Sequence, residues 1–170
     1  MKKTILILLF AIPSVIFSQI SSNIISQNDF DNIKINNSTL KTIKESQGEL
    51  NLIKNMFGEN FTDKTIDPDG EFKNYEYNGF SIGFSGLTGT LDNPELSSFE
   101  ITNSDWSVTI KGNVIKVGNH KNNLGDVILN NQKDGGKSIV YQFCNGCNSF
   151  ISFHLDKSGY ILKIVYVEQT

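Results

Sequence analysis

Apolar and polar residues alternate along most of the chain from residue 72 onward, which is the pattern of strands that bury one face. Asn78-Gly79 separates the first two alternating stretches, and this dipeptide favours a tight two-residue hairpin turn. The second half of the chain is therefore expected to be rich in strands. The predicted strands span residues 72–77, 80–84, 98–103, 106–111, 114–117, 138–143, 150–155 and 160–167.

Two short helices are predicted upstream of these strands. Apolar residues between positions 40 and 57 recur near helical spacing. Gly48 interrupts this pattern, which favours two helices over one. Ser38 or Thr39 can cap the start of the first helix, and Gly58 stands where a C-cap glycine belongs.

The order of elements restarts after Gly112, with a strand, a short helix through Leu124, Val127 and Ile128, and three further strands. This order predicts an α+β fold in which short helices pack on one face of an antiparallel sheet. We expect one domain over residues 38–170, with two possible tandem units at 38–112 and 113–170.

The two halves are also weakly similar to each other. Tyr75-Glu76-Tyr77 before Phe80-Ser81-Ile82 parallels Tyr141-Gln142-Phe143 before Phe150-Ile151-Ser152. In element order, the chain resembles the tandem helix–sheet proteins of the β-lactamase-inhibitor-protein-like and SmpA/OmlA-like envelope families. The resemblance implies an inhibitor or envelope-assembly role. The chain departs from those families in its short helices and in its lack of a lipid-anchoring cysteine. No binding residue of those families maps onto a position of this sequence.

The N-terminus has the layout of a secretory signal. Met1-Lys2-Lys3 precedes an apolar run over residues 5–17, and small polar residues follow at Ser18-Gln19. We therefore expect a signal peptide at 1–19 and a periplasmic or secreted product without a membrane anchor; a buried strand or an uncleaved anchor is the alternative. Residues 20–37 are polar and are interpreted as a tether or a loosely docked first strand.

Net charge narrows the range of partners. The full chain has a formal charge of −3, and removing Lys2 and Lys3 leaves 13 basic and 18 acidic residues, or −5. This balance argues against binding to nucleic acid or to an anionic lipid surface. The chain also contains no Arg, the residue that most often clamps phosphate groups.

The only two cysteines are Cys144 and Cys147, and in an exported protein they are expected to form a disulfide. A redox-active thiol pair is the alternative, although such pairs normally lie at the start of a helix rather than between strands. Zinc is a further alternative, which would require two more ligands, and the only histidines are His120 and His154.

The strands that flank the cysteines can pair in two registers. Direct pairing of Cys144 with Cys147 would place Tyr141 opposite Phe150. The apolar faces agree better with an odd loop that contains a bulge at Gly146. That register places Ile139, Tyr141 and Phe143 on the same side as Ile151, Phe153 and Leu155.

A calcium loop is one candidate site. Asp67, Asp69 and Glu76 fall in register with the ligands of a helix–loop–helix calcium site, but Thr65 replaces the first aspartate and Pro68 is unfavourable. An ordinary acidic turn explains the same residues.

Aromatic side chains are the other candidates, as a binding face on an open side of the sheet. Tyr75, Tyr77 and Trp106 are candidates for this face, and burial in the core is the alternative. No pattern of nucleophile and base is present, so no catalytic residue and no cofactor is predicted. The expected function is non-enzymatic protein binding; a thiol redox enzyme and a calcium- or glycan-binding module are the alternatives.

Overall fold

The computed structural model describes residues 21–66, 72–86, 94–132 and 135–168 and has an α+β fold. Its helices are α1 (Gln27–Asp31), α2 (Leu40–Glu45), α3 (Leu50–Phe57) and one 3-10 helix (Lys121–Leu124). Its first seven strands are β1 (Asn23–Ile24), β2 (Lys34–Ile35), β3 (Ser38–Thr39), β4 (Asp63–Ile66), β5 (Phe72–Tyr77), β6 (Phe80–Ser85) and β7 (Glu95–Ile101). The remaining strands are β8 (Val108–Ile110), β9 (Asn113–Ile115), β10 (Asn130–Asn131), β11 (Lys137–Gln142), β12 (Ser149–Leu155) and β13 (Ile161–Glu168).

The main sheet consists of two antiparallel meanders joined along their last strands. Its order is β1-β11-β12-β13-β7-β6-β5-β4, and β10 also pairs with β11. The central pair is antiparallel and places Tyr166 opposite Phe99 and Ile164 opposite Ile101. The short strand β1 is parallel to β11, while every other strand pair in the described sheet is antiparallel.

A second, smaller sheet repeats this arrangement with two hairpins. Its order is β3-β2-β8-β9, and the inner strands β2 and β8 are antiparallel, with Ile35 opposite Val108. Each hairpin precedes a helical segment and then a meander, so both halves of the chain have the same order of elements. The predicted unit boundary between 112 and 113 lies inside the β8–β9 turn, where Lys111 and Gly112 have φ of 50° and 83°.

One face of the main sheet forms the core. Alternate residues of β5, β6 and β7 point to this face, where α2 and α3 also bury Leu40, Ile43 and Ile53. The residues of these three strands that are buried together are Tyr75, Tyr77, Phe80, Ile82, Phe84, Leu96, Phe99 and Ile101. The alternation expected of strands that bury one face is therefore confirmed in β5, β6 and β7.

The predicted break between the two helices is confirmed at Gly48. Its φ is +64°, and a Cβ at this position would lie 2.8 Å from the ring of Phe84. The Gly48 carbonyl also accepts a 2.6 Å hydrogen bond from the Tyr75 hydroxyl. Thr39 caps α2 by accepting a hydrogen bond from the Thr42 N–H, and Gly58 ends α3, as predicted.

The N-terminal segment contributes to the core, so the interpretation of residues 20–37 as a tether is wrong where the segment is described. Phe30 of α1 is completely buried and its ring packs against Phe143 and Tyr166. Ile33 and Ile35 are also buried. The polar composition of this segment concealed its burial, because its few apolar residues are widely spaced and still pack against the core. The predicted signal peptide at 1–19 lies outside the described residues.

Several predicted boundaries shift. The strand expected at 98–103 runs over Glu95–Ile101. The helix expected to continue through Val127 and Ile128 is only a 3-10 helix that ends at Leu124, because Gly125 with φ of +74° follows it. The alternative of a docked first strand within residues 20–37 agrees with β1, which pairs with β11. The short strands β2, β3, β4 and β10 were not predicted, because two to four residues carry too little periodicity. Within the described ranges, no helix is long and apolar enough to cross a membrane.

Replacing Phe30 with Ala tests whether the N-terminal segment stabilises the domain. We expect a loss of about 3–5 kcal/mol in the free energy of unfolding, because the substitution leaves a cavity between α1 and the sheet. Denaturant unfolding followed by circular dichroism measures this loss. Leu52→Ala is the control, since Leu52 is 46% exposed on α3; equal losses in the two variants would contradict the assignment.

Candidate functional site

The predicted aromatic face is wrong for both tyrosines. Tyr75 and Tyr77 are 0% and 6% exposed and point into the core. Their hydroxyls donate to the carbonyls of Gly48 and Gly58 at 2.6 and 3.3 Å, which satisfies the polar end of each buried side chain. Burial raises the pKa of Tyr77, and burial followed by the charge of Glu49 raises that of Tyr75. These rings are structural.

Trp106 is only partly exposed and belongs to the same aromatic cluster. Its ring centroid lies 4.5 Å from that of Phe80 and 5.4 Å from that of Tyr77. The indole N–H donates a 2.9 Å hydrogen bond to the carbonyl of Asn78 in the β5–β6 turn. Trp106 therefore closes one end of the core, and the three predicted aromatics do not form a binding face.

The side of the main sheet opposite the core carries a different set of residues, here called the open face. Strand register aligns two rows of side chains across it, and neighbours within a row are adjacent across the strands. The first row runs Glu76, Ser81, Glu100, Val165 and Ser152, and the second runs Asn74, Gly83, Ser98, Val167 and Phe150. Both rows change from polar residues on β5–β7 to mostly apolar residues on β13 and β12.

An apolar strip therefore lies near the middle of the main sheet. Phe150, Val165 and Val167 form this strip, and each is partly exposed. Beyond it the face is covered, since Val140 and Ser152 are each 5% exposed. The sequence contained a signal for the strip: residues 164–167 are apolar at consecutive positions, which differs from the alternation of a strand with one buried face.

Beside the strip, the polar end of the first row forms an acidic depression of about 220 Å³. Glu76, Ser81, Glu100 and Thr102 are among the residues that line it. Lys163 pairs with Glu100 at 3.0 Å, so two carboxylates face one ammonium group. The depression is therefore net negative and suits a basic group. Sequence reasoning missed Glu100 because one carboxylate on a strand is not distinctive.

A second depression, of about 360 Å³, lies at the polar end of the other row. Gly83 forms part of its floor, and a Cβ there would lie 3.4–3.6 Å from polar atoms of Ser97, Ser98 and Asn74. Phe72, which is 43% exposed, lines the same depression. Lys73 also lines it, but its ammonium group is paired with Glu49 at 3.1 Å. The remaining hydroxyl, amide and aromatic groups suit a neutral polar ligand.

The two cysteines form the predicted disulfide. Cys144 and Cys147 are bonded in the turn between β11 and β12, with their Cα atoms 5.4 Å apart. Tyr141 lies opposite Ile151 and Ile139 opposite Phe153, so the odd-loop register is confirmed.

The disulfide turn also contacts the N-terminal segment. Gln142 donates from its amide to the Cys147 carbonyl at 2.7 Å, and its side-chain oxygen accepts a hydrogen bond from the Ser22 hydroxyl. Phe143, which precedes the turn, packs edge-on against Phe30 at 5.3 Å. The turn stands between strands and no helix follows it, so the helix N-terminus that lowers thiol pKa in redox pairs is missing from this site.

Only one of the three candidate calcium ligands lies within the described residues. Asp67 and Asp69 lie outside the described residues. Glu76 lies on the open face, where it accepts a 3.0 Å hydrogen bond from the Asn74 amide. Among the described residues, no three His, Cys, Asp or Glu side chains group closely enough to hold a metal ion. The two histidines lie in different parts of the structure. His120 caps the 3-10 helix, whereas the ring of His154 on β12 hydrogen-bonds with the side chain of Gln132.

A charged cluster ties the end of β13 to α2. Glu168 pairs with Lys44 at 2.8 Å, accepts a hydrogen bond from Ser149 at 2.9 Å, and accepts another from the Tyr166 hydroxyl. Burial by itself raises the pKa of Glu168, but the bonds from Lys44, Tyr166 and Ser149 outweigh it and lower that pKa overall. The cluster lies on the core side of the sheet and is structural.

Comparison of the chain with protein-family models, curated proteins and solved structures finds no match. The resemblance in element order to the inhibitor-like and envelope-assembly proteins therefore stays a prediction.

Changing both cysteines to Ser should lower the free energy of unfolding by about 2 kcal/mol, because a short loop loses its closure constraint. Denaturant unfolding measures this loss. In the folded, untreated protein, thiol titration should detect no free thiol, and two should appear after reduction. Detection of two reactive thiols before reduction would contradict a structural disulfide and support the redox alternative.

Glu168→Gln should lower stability at neutral pH and change its dependence on acid. A carboxyl whose pKa is lowered on folding stabilises the protein above its ordinary value of 4.5, and this stabilisation is lost as pH falls through the lowered pKa. The stability difference between wild type and variant should therefore shrink on acidification. Thermal melts across this pH range test it, with the exposed Glu45→Gln as control, for which little change is expected.

Proposed function

We propose that the chain is an exported, non-enzymatic domain that binds a protein partner through the open face of its main sheet. The single observation that carries this proposal is the arrangement of that face, where the strip of Phe150, Val165 and Val167 lies beside hydrogen-bonding and charged groups. Protein interfaces commonly have this anatomy, with an apolar centre and a polar rim.

The chemistry of the rim specifies the partner further. Glu76 and Glu100 outnumber Lys163 across the acidic depression, so the partner should bring a Lys or Arg side chain to it. Val165 lies directly opposite Glu100 on the neighbouring strand, so the same partner can reach the apolar strip and the acidic depression together. An inhibitor or envelope-assembly role, as the resemblance in element order implies, is compatible with such a surface.

Export is part of the proposal and is supported by the signal-like N-terminus and by the disulfide. Disulfides persist in oxidising compartments and are rare in the cytosol.

The proposal is tested with three variants of the tagged mature chain in an envelope extract of the source bacterium. Val167→Lys places a charge in the apolar strip, and Glu76→Lys reverses the charge of the acidic depression. Val114→Lys is the matched control, because Val114 is 57% exposed on β9 in the other sheet. Thermal melts first establish that all three variants fold.

We expect wild type and Val114→Lys to retain the same protein, and both open-face variants to lose it. With the purified partner, each open-face substitution should weaken binding roughly tenfold or more, as for central interface residues. Equal binding by all variants would overturn the proposal. The chain could instead be retained on polysaccharide. If Asn74→Ala abolishes this retention and Val167→Lys does not affect it, the ligand is a glycan in the second depression, which Gly83 and Asn74 line.

A further inference from the structure

The chain contains two Asn-Gly dipeptides, Asn78-Gly79 and Asn145-Gly146, and both are turns between antiparallel strands. Their glycines have nearly the same backbone conformation, with φ of +72° and +74°. Both asparagines are exposed. The two sites therefore share the Asn-Gly sequence and a similar glycine φ, and they differ in their turns and in what surrounds them.

Asn-Gly is the dipeptide at which backbone chemistry can modify a side chain without an enzyme. The deprotonated glycine nitrogen attacks Cγ of the asparagine, a new C–N bond forms, and ammonia leaves to give a succinimide. Water then opens the ring at either carbonyl. Opening at Cγ gives aspartate, whereas opening at the main-chain carbonyl gives isoaspartate. Glycine favours the attack because no side chain hinders its nitrogen.

The surroundings of Asn78 oppose this reaction. Its carbonyl accepts hydrogen bonds from the Trp106 indole at 2.9 Å and from the Asn103 amide at 3.2 Å. A Cβ at Gly79 would lie only 2.1 Å from Asn103 Nδ2, so Asn103 packs closely over the turn. The carbonyl of Gly79 is also held, by the Thr102 N–H at 2.9 Å. Ring closure at Asn78 requires these contacts to break.

The surroundings of Asn145 do not hold it in this way. Cys144, Asn145 and Gly146 are all exposed, and nothing lies within 4 Å of a Cβ built on Gly146. Among the hydrogen bonds of the described residues, none engages the carbonyls of Asn145 and Gly146, in contrast to the carbonyls of Asn78 and Gly79. The ladder between β11 and β12 ends at Tyr141 and Ile151, so the turn lies beyond the last paired residues.

We propose that Asn145 is a site of spontaneous modification, converting to isoaspartate and aspartate by reaction with water while Asn78 in the same folded protein is protected. The product places a negative charge in the loop closed by the Cys144–Cys147 disulfide. Isoaspartate also lengthens the backbone of that loop by one methylene. The change falls beside Cys147, whose carbonyl contacts Gln142, and so next to the attachment of the N-terminal segment.

The test incubates the folded, disulfide-intact mature protein at mildly acidic and mildly alkaline pH and follows both sites by peptide mapping with mass spectrometry. We expect Asn145 to react severalfold faster than Asn78, and faster at alkaline pH because the nucleophile is the deprotonated nitrogen. In the reduced, denatured chain, the two sites should react at similar rates, since the protection of Asn78 comes from the fold.

Two variants separate the chemistry from the structure. Gly146→Ala should slow reaction at Asn145 severalfold and leave Asn78 unchanged, whereas Asn103→Ala should accelerate Asn78 and leave Asn145 unchanged. The proposal is overturned if Asn78 reacts as fast as Asn145 in the folded protein. It is also overturned if Asn145 stays intact under conditions in which the denatured chain reacts.

Discussion

The antiparallel pairing of β7 with β13 is the constraint on which the rest of the structure depends. Without it, each meander would expose an edge strand, and unpaired edges associate with other chains. Pairing the last strands of the two halves makes one continuous sheet and stacks Phe99 on Tyr166 at 5.4 Å across the join. The small sheet has the same arrangement, since β2 and β8 join its two hairpins. Since β1 also pairs with β11, the described parts of the two halves are held together at three separate strand pairs.

This join determines which surfaces remain available. Because α1 and α3 pack their aromatic rings against one side of the sheet, most aromatic residues of the strands collect there. The other side has few large side chains, and its apolar residues lie on β12 and β13, close to the join. The proposed binding face is therefore composed from both halves of the chain: Glu76 and Glu100 come from the first, and Phe150, Val165 and Val167 come from the second.

The disulfide turn has a structural role that its position explains. It ends the β11–β12 hairpin at the point where the N-terminal segment enters the fold, and Phe143 and Gln142 contact that segment. The same position leaves the tip of the turn exposed and without ladder hydrogen bonds. The Cys144–Cys147 disulfide closes a loop that makes no ladder hydrogen bonds. This arrangement explains both the contacts that stabilise the base of the turn and the proposed reactivity of Asn145 at its tip.

Local properties of the sequence determined much of the fold. Alternation identified the long strands and which of their residues share a face, Gly48 separated the helices, and the parity of Tyr141 and Ile151 gave the register across the disulfide turn. These features depend on neighbours within a few residues, so a single sequence contains them. The α+β class follows from them as well.

Only the tertiary structure decided which strands meet and which face stays open. Tyr75 and Tyr77 have the same alternation whether they face helices or solvent, so the sequence could not separate a core from a binding surface. Phe30 lies in a polar segment, and only docking of α1 shows that it is buried. Glu100 and Val165 are 65 positions apart and become neighbours through the β7–β13 register. Such long-range pairing depends on the packing of the whole chain, and no local pattern records it.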